Sequence, residues 1–408
     1  MLTRTHKITL LVALYLAQGL PYGFFTLALP VLLREAGFSL KAISLLSLAA
    51  LPWALKFLWA PYLDHLGTRR SWLLFLQFSS IIAALVLTQL DLDSNYAALI
   101  VAAFTFNIIA ASQDVVTDGL AVRLLDARER GLANAIQVGA YRLGMILGGG
   151  LLLWLFAKTS WTVMFSCMAA LLALTVLPVL WLHESPRSAE TTHLSAAQLS
   201  VGWATRLFAP GMLGFIGLIV CYRFGDQMVT SLLGPFLRDS GLTKETIAVM
   251  KGTVGSATSL IGALIGGWLA FAAGRRTAVL FSGVSQAACF LLYIVAALGV
   301  GGVNLLWAAT IIEGVLGTMA TVALFTLMMD ASEPEHAGTD YTLFASVVVL
   351  VSSVGNFTSA SIADAFGYAP TFIIGAVLAL LGCLLVVRSL DRSARPARVA
   401  QVWNGPTG

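Results

Sequence analysis

The sequence predicts an all-α membrane protein: twelve transmembrane helices in two six-helix bundles. Three observations carry that prediction. Of the 408 residues, 58% are hydrophobic and only 11% are charged, against about 45–50% apolar and 25% charged in soluble domains. The apolar residues fall in unbroken runs of about 20 or more, long enough to span a bilayer as helices. The first and second halves also resemble each other at a nearly constant offset. This composition excludes a cytosolic enzyme, a disordered chain and a secreted disulfide scaffold. A membrane β-barrel would alternate over ten-residue segments, and the continuous runs exclude it.

Taken in order, the predicted spans are 8–33, 41–63, 71–90, 96–121, 131–156, 161–182, 206–233, 246–272, 277–298, 303–329, 338–363 and 369–387. The basic start lacks a small-residue cleavage site behind its apolar run, so 8–33 reads as a retained first helix. The longest polar stretch, 183–205, separates residues 1–182 from 206–390 as a cytoplasmic linker, and 391–408 forms an arginine-bearing tail. Lys and Arg set the orientation. Fifteen of the 24 lie in segments that are cytoplasmic if the N-terminus is inside, and five lie in the opposite loops. Both termini are therefore expected in the cytoplasm. The net charge of +4 comes mostly from those loop arginines and points to no nucleic-acid partner. Cys167, Cys221, Cys289 and Cys383 each sit inside an apolar run without CxxC spacing, as packing residues rather than a disulfide or metal set.

The repeat is legible at three places. Leu32 onward (LLREAGFSLKAI) matches Phe236 onward (FLRDSGLTKETI) at an offset of 204, while Gly67 meets Gly274 and Gly131 meets Gly338 at 207. A same-direction repeat of six helices implies a substrate site between the halves, near the membrane midplane.

The loop Leu63-Asp64-His65-Leu66-Gly67-Thr68-Arg69-Arg70 resembles the major facilitator signature G-x-L-x-D-R-x-G-R-R, departing from it at Ala60 and His65. An acid at a helix end beside basic residues can latch neighbouring helices, so Asp64, Arg69 and Arg70 are gating candidates; the alternative is a plain positive-inside cluster. Phe271 stands where the second copy would carry the acid. Four stretches narrow the resemblance: LPWALKFLWAPYLD (51–64), ASQDVVTDGLAVRLLDARERG (111–131), YRLGMILGGGLLLWL (141–155) and YRFGDQMVTSLLGPFLRDSG (222–241). Over essentially the whole chain, these resemble the AmpG-type permease branch of the major facilitator superfamily. That branch holds anhydromuropeptide permeases, acetyl-CoA transporters and siderophore permeases of the RhtX/FptX type. The resemblance implies the major facilitator fold and a secondary transporter of a bacterial inner membrane, working as a monomer in the lipid bilayer without cofactor. Twelve spans, and the stretch His336–Ser346, are more like the siderophore permeases. A ferric siderophore is accordingly the expected substrate and an anhydromuropeptide the alternative.

Eight ionisable residues fall within the predicted spans: Lys56, Arg142, Arg223, Lys251, Asp114, Asp118, Asp226 and Glu313. Unpaired at the bilayer centre each costs about 2.5–3.5 kcal/mol. Together that is roughly 20–28 kcal/mol, beyond the ~5–15 kcal/mol of net stability of a typical protein. They must therefore pair or line a wet cavity. Asp114 and Asp118 share a face of the fourth helix, and matching depths pair Asp114 with Arg142. Arg223 and Asp226, three apart, pair locally. Asp118, one turn from the helix end, reads as a gating latch to loop arginines such as Arg123. Lys56 and Lys251 have no acid one turn away and are candidates for an anionic substrate group, with snorkelling as the alternative. Arg142, Arg223, Gln113, Tyr141 and Tyr222 complete the substrate-binding candidates, with Tyr22 and Trp53 as further stacking surfaces. All five histidines fall in loops or at helix edges, so proton coupling must use carboxylates: Glu313 first, then Asp114 and Asp226. No HExxH, no metal-ligand spacing and no phosphate-binding GxxxxGK[ST] loop appears in the sequence, which leaves no chemistry for an enzyme or an ATP-driven pump.

Overall fold

The computed structural model describes residues 3–35, 51–89, 96–182, 199, 201–392 and 397–403. Regular structure among them is helical throughout. The reason is the solvent: in hydrocarbon, a backbone N–H or C=O must be satisfied within its own segment. Eleven helices among the described residues are long and apolar enough to cross a membrane.

The first helix, α1 (Arg4–Gly23), is capped by Thr3, whose hydroxyl accepts the His6 N–H. Pro21 lacks an N–H and interrupts the ladder; the chain continues through a π turn at Phe24–Ala28 and a helix at Leu29–Glu35. Of the second predicted span, the described part is a helical turn at Leu51–Leu55, a 3-10 turn at Lys56–Leu58 and α2 (Ala60–His65). The repeat stretch beginning at Leu32 lies largely outside the described residues, as does most of the predicted linker. Next come α3 (Arg69–Leu87), started by a Thr68/Ser71 capping box, α4 (Tyr96–Leu124), α5 (Arg130–Ile146) with a π segment at Leu147–Leu151 and a helix at Leu152–Lys158, and α6 (Trp161–Leu180). The second half gives α7 (Met212–Thr230), α8 (Gly255–Ala272) after a π segment at Ala248–Val254, α9 (Gly274–Ala297), α10 (Gly302–Ala331), α11 (Ala337–Phe366), α12 (Tyr368–Asp391) and a short α13 (Ala397–Val402).

The chain forms two compact units. One comprises Met1–Leu124, Ile136–Thr205 and Pro334–Ser346; the other comprises Leu125–Ala135, Arg206–Glu333 and Val347–Gly408. Two short segments are thus exchanged relative to the sequence halves, because α5 and α11 each begin in one unit and continue in the other.

Within the first unit α1 packs on α4 and α6, and α3 packs on α4 and α6. A Cβ on Gly148 would lie 1.9 Å from the Leu20 carbonyl oxygen, and one on Gly19 2.2 Å from that of Tyr141. Small residues therefore let α1 and α5 touch backbone to backbone, the packing mode of membrane helices. Phe24, Phe25, Phe106, Trp161 and Phe165 fill one end of this unit, and the Trp161 indole donates to the Leu87 carbonyl at 2.8 Å. In the second unit α7 packs on α12, α9 on α10 and α12, and α8 on α10. The α1–α6, α3–α6 and α3–α4 pairings thus return as α7–α12, α9–α12 and α9–α10. Phe236, Tyr368 and Phe372 occupy the corresponding end. The tail contributes α13, which packs on α10 and leaves Trp403 fully buried, its indole donating to Asp391 at 2.8 Å. Large apolar side chains such as Phe75, Val101, Leu174, Trp268 and Phe357 stand exposed, as expected of helices whose outer faces meet lipid.

Candidate functional site

In the first unit, Lys56 lies on the 3-10 turn. Two tryptophans hold that turn in register along α4: Trp53 donates to the Asn107 side-chain Oδ1 at 2.8 Å and Trp59 to the Ser112 hydroxyl at 3.1 Å. The Lys56 ammonium is only 2% exposed and reaches the Asp114 carboxylate, with the Trp53 ring 5.4 Å away on another side. This corrects the depth argument, which paired Asp114 with Arg142. Equal depth does not fix the direction in which a side chain points, and the broken second span turns Lys56 inward. Lys56 likewise has an acid partner, on a neighbouring helix rather than its own. Arg142 and Tyr141 are half-buried on α5, and Tyr141, Tyr22 and Trp53 form a trio with ring centroids 5.6–6.3 Å apart.

Asp118, one turn beyond Asp114, is 1% exposed. Its Oδ1 accepts the Tyr15 hydroxyl at 2.7 Å and the Gln137 amide at 3.2 Å, while its Oδ2 has no hydrogen-bond partner. The expected latch to Arg123 does not form. Arg123 instead donates to the Glu335 carbonyl at 2.9 Å and stands 4.0 Å from Asp64. Tyr341 donates to Gln137 at 3.4 Å, and Gln113 to the Leu14 carbonyl at 3.2 Å. Gln113 thus ties α4 to α1.

At the α2–α3 turn, the buried Asp64 accepts from Arg69 at 2.7 Å. Its other oxygen accepts the Thr339 backbone N–H and hydroxyl, at 3.1 and 3.2 Å. The acid therefore holds the start of α3 and the first turn of α11 together. Arg70 points elsewhere and donates to the Leu180 carbonyl at 3.0 Å. His65, the departure from the signature, meets His336 at 3.2 Å between ring nitrogens.

In the second unit, Arg223 pairs with Asp226 at 2.7 Å as the i,i+3 spacing predicts. The Gln286 and Gln227 amides also donate to Asp226, and Arg223 reaches the Thr321 hydroxyl at 3.4 Å. Tyr222 is buried with its hydroxyl 3.4 Å from that of Ser282. Lys251, on the π segment, and Glu313, on α10, are electrostatic neighbours, and Cys289 and Tyr293 also face Glu313.

Sequence reasoning missed a second buried cluster. Asp330, at the end of α10, is fully buried and accepts Arg130 at 2.7 Å and Arg275 at 2.5 Å. Arg275 also donates to the Ala270 and Ala127 carbonyls. Both arginines count as loop residues in the orientation argument, yet both are buried. The signal was present: Asp330 stands 207 residues after Arg123, the offset of the repeat, with the sign of the charge reversed. Tyr15 and Thr339 were missed because a lone hydroxyl on an apolar helix carries no pattern. Among the described residues, no group of three His, Cys, Asp or Glu is arranged to hold a metal ion. The described interior offers ion pairs, amides and aromatic faces, groups that suit a zwitterionic or sugar-bearing solute.

Comparison with known proteins bears on the identity of that solute. The Major Facilitator Superfamily model matches residues 11–356 and 215–404. The anhydromuropeptide permease of Escherichia coli K12 is 30% identical, the match covering 93% of this chain and 79% of the relative. A putative AmpG transporter of Rickettsia felis is 21% identical over 90% of this chain and 92% of its own. Among solved structures, the major facilitator transporter FucP in the outward conformation superposes with a TM-score of 0.74 at 15% identity, covering 94% of this chain and 99% of FucP.

Proposed function

The chain belongs to the major facilitator superfamily of multi-pass membrane transporters, and from that premise we propose that it carries anhydromuropeptides across a bacterial inner membrane into the cytoplasm, by alternating access. The observation that carries the reading is the 30% identity with the Escherichia coli anhydromuropeptide permease across 93% of the chain. The siderophore expectation rests on span number and one stretch of α11, and the named relatives support its alternative instead. Muropeptide is therefore adopted, with a ferric siderophore as the competitor to be tested.

The interior chemistry agrees with such a substrate. A muropeptide joins sugar rings to a short peptide with free carboxylates. Within the first unit, Tyr22, Trp53 and Tyr141 offer aromatic faces to the apolar side of a pyranose. Arg142 and Arg223, both half-buried, offer bidentate donors to a carboxylate. Lys251 lies beside Glu313 and supplies a third cation of the same kind. Lys56 is buried against Asp114 and acts through the charge balance of its cluster. Asp64 with Arg69 is the latch, and it is released when α11 carries Thr339 away from Asp64. Asp226 orients Arg223.

The test is uptake by the purified protein in proteoliposomes of labelled N-acetylglucosaminyl-anhydromuramyl tripeptide and, in parallel, of a labelled ferric siderophore. Accumulation of the first is expected. Accumulation of the second with none of the first would overturn the assignment.

A further inference from the structure

His65, at the end of α2, stands where the signature loop carries arginine. His336, in the turn that leads into α11, faces it with its Nδ1 3.2 Å from the His65 Nε2. The ring centroids are 5.2 Å apart and the planes are tilted by 41°, so ring nitrogens meet rather than ring faces. The other nitrogen of His65, Nδ1, lies 3.0 Å from the Pro61 carbonyl oxygen. A carbonyl only accepts, so Nδ1 carries the proton and Nε2 presents a lone pair to His336. His65 is 8% exposed, whereas His336 is half-buried beside the exposed Pro334 and Glu335, so water reaches the pair on the His336 side.

These features are what a transition ion asks of imidazole. Two ring nitrogens bound to one tetrahedral ion at about 2.0–2.1 Å lie about 3.3–3.4 Å apart, and the 3.2 Å between His65 and His336 needs little movement to match. A ligating histidine commonly donates its second N–H to a backbone carbonyl, which fixes the ring and its tautomer; the Pro61 carbonyl does this for His65. His336 ligates once its proton shifts from Nδ1 to Nε2, so both imidazoles stay neutral and no net proton is released. Asp64 precedes His65 and Glu335 precedes His336. Arg69 and Arg123 are drawn to Asp64, at 2.7 and 4.0 Å, so acids as well as arginines surround the position of a dication. We propose that His65 and His336 form a binding site for a divalent first-row transition ion of the zinc class, with water completing its coordination. Imidazole selects such ions over magnesium and calcium, which take oxygen ligands. Two protein ligands hold the ion less firmly than the four of a closed structural site, so occupancy follows the free concentration. A bound ion ties α2 to the turn ahead of α11, beside the contact that Asp64 makes with Thr339. Occupancy therefore reinforces that latch and slows transport.

The probe is zinc alone, titrated calorimetrically into the full chain in detergent micelles, with magnesium as the control ion. Wild type should show a saturable zinc site. Its affinity should fall at least about tenfold in His65→Gln, in His336→Gln and in the two combined, since loss of even an outer-shell partner costs about 10–100-fold. His65→Arg restores the residue of the signature and should lose the site likewise, which covers the case of a glutamine variant that fails to fold. His6→Gln should keep the site. Zinc should also raise the thermal unfolding midpoint of wild type and leave that of the His65 and His336 variants unmoved. A wild type that binds no zinc, an isotherm unchanged in His65→Arg and His336→Gln, or magnesium bound as tightly as zinc would overturn the proposal and leave the pair as a hydrogen bond. In proteoliposomes, zinc should slow uptake of labelled anhydromuropeptide by wild type, and chelation should restore it, while uptake by His65→Arg should be the same with and without zinc. Zinc binding that needs both histidines, with wild-type uptake unaffected, would overturn the reinforcement of the latch. This last arm rests on the proposed substrate: if no muropeptide enters even without zinc, that reading fails, and the calorimetry still decides the site.

Discussion

Replacing Asp330 with Asn tests whether the second unit depends on its buried charge cluster. Asp330 is fully buried and receives two guanidinium groups, at 2.7 and 2.5 Å, from arginines that are themselves 7% and 1% exposed. The substitution keeps the shape and removes the charge, which strands two buried cations. Breaking a buried pair by deleting one partner costs about 3–5 kcal/mol, and Asp330→Asn is expected to fall at the upper end because two partners are stranded. Arg130→Gln is the internal control. It leaves the Arg275–Asp330 pair intact and removes one charged hydrogen bond, an expected loss of about 1.5–3 kcal/mol. The assay is reversible unfolding in mixed micelles driven by a denaturing detergent, and the order of the two variants is the prediction. An Asp330→Asn protein within about 1 kcal/mol of wild type, or one more stable than Arg130→Gln, would refute the reasoning.

Asp64→Asn removes the charge that holds Arg69 at 2.7 Å while keeping an oxygen for Thr339; uptake is expected to fall at least about tenfold, from a loss of roughly 1.5–3 kcal/mol, and wild-type uptake would dismiss the latch. Arg223→Gln and Asp226→Asn should each destabilise the second unit, whereas the double neutral variant should be more stable than either single one, because no buried charge is left alone. Thermal unfolding of the four proteins closes that cycle, and simple additivity would count against the pair.

The fold was legible because hydrocarbon permits few solutions for a spanning chain, so run length and repeat offset were sufficient to predict it. The same offset returns in the structure as matching helix pairings in the two units. Local charge pairing was legible where one helix fixes it, as for Arg223 and Asp226. Pairing between helices was not. Lys56 reaches Asp114 because the second span breaks into a 3-10 turn held by Trp53 and Trp59, and nothing in composition or periodicity signals that break. The Asp118 latch failed for a related reason. Loop arginines near a helix end have several acids and carbonyls within reach, and Arg123 took Glu335 and the vicinity of Asp64. Counting arginines for orientation hid Arg130 and Arg275, whose burial follows from tertiary packing rather than from their place near a turn.

The buried clusters differ in how their charge is balanced. Around Asp330 there is one more cation than anion, but Arg275 also donates to the Ala270 and Ala127 carbonyls. Carbonyls at and near a helix C-terminus carry partial negative charge, so the surplus is met by fixed groups and needs no mobile ion. Around Asp64, Arg69 is bound at 2.7 Å and Arg123 stands 4.0 Å away, its side chain 29% exposed and bonded to the Glu335 carbonyl. Arg223 and Asp226 balance one to one. The cluster of Lys56, Asp114 and Asp118 holds two carboxylates and one ammonium, and the two neutral donors on Asp118 both go to the same oxygen. A cluster balanced by backbone carbonyls holds its helices in place without a mobile ion.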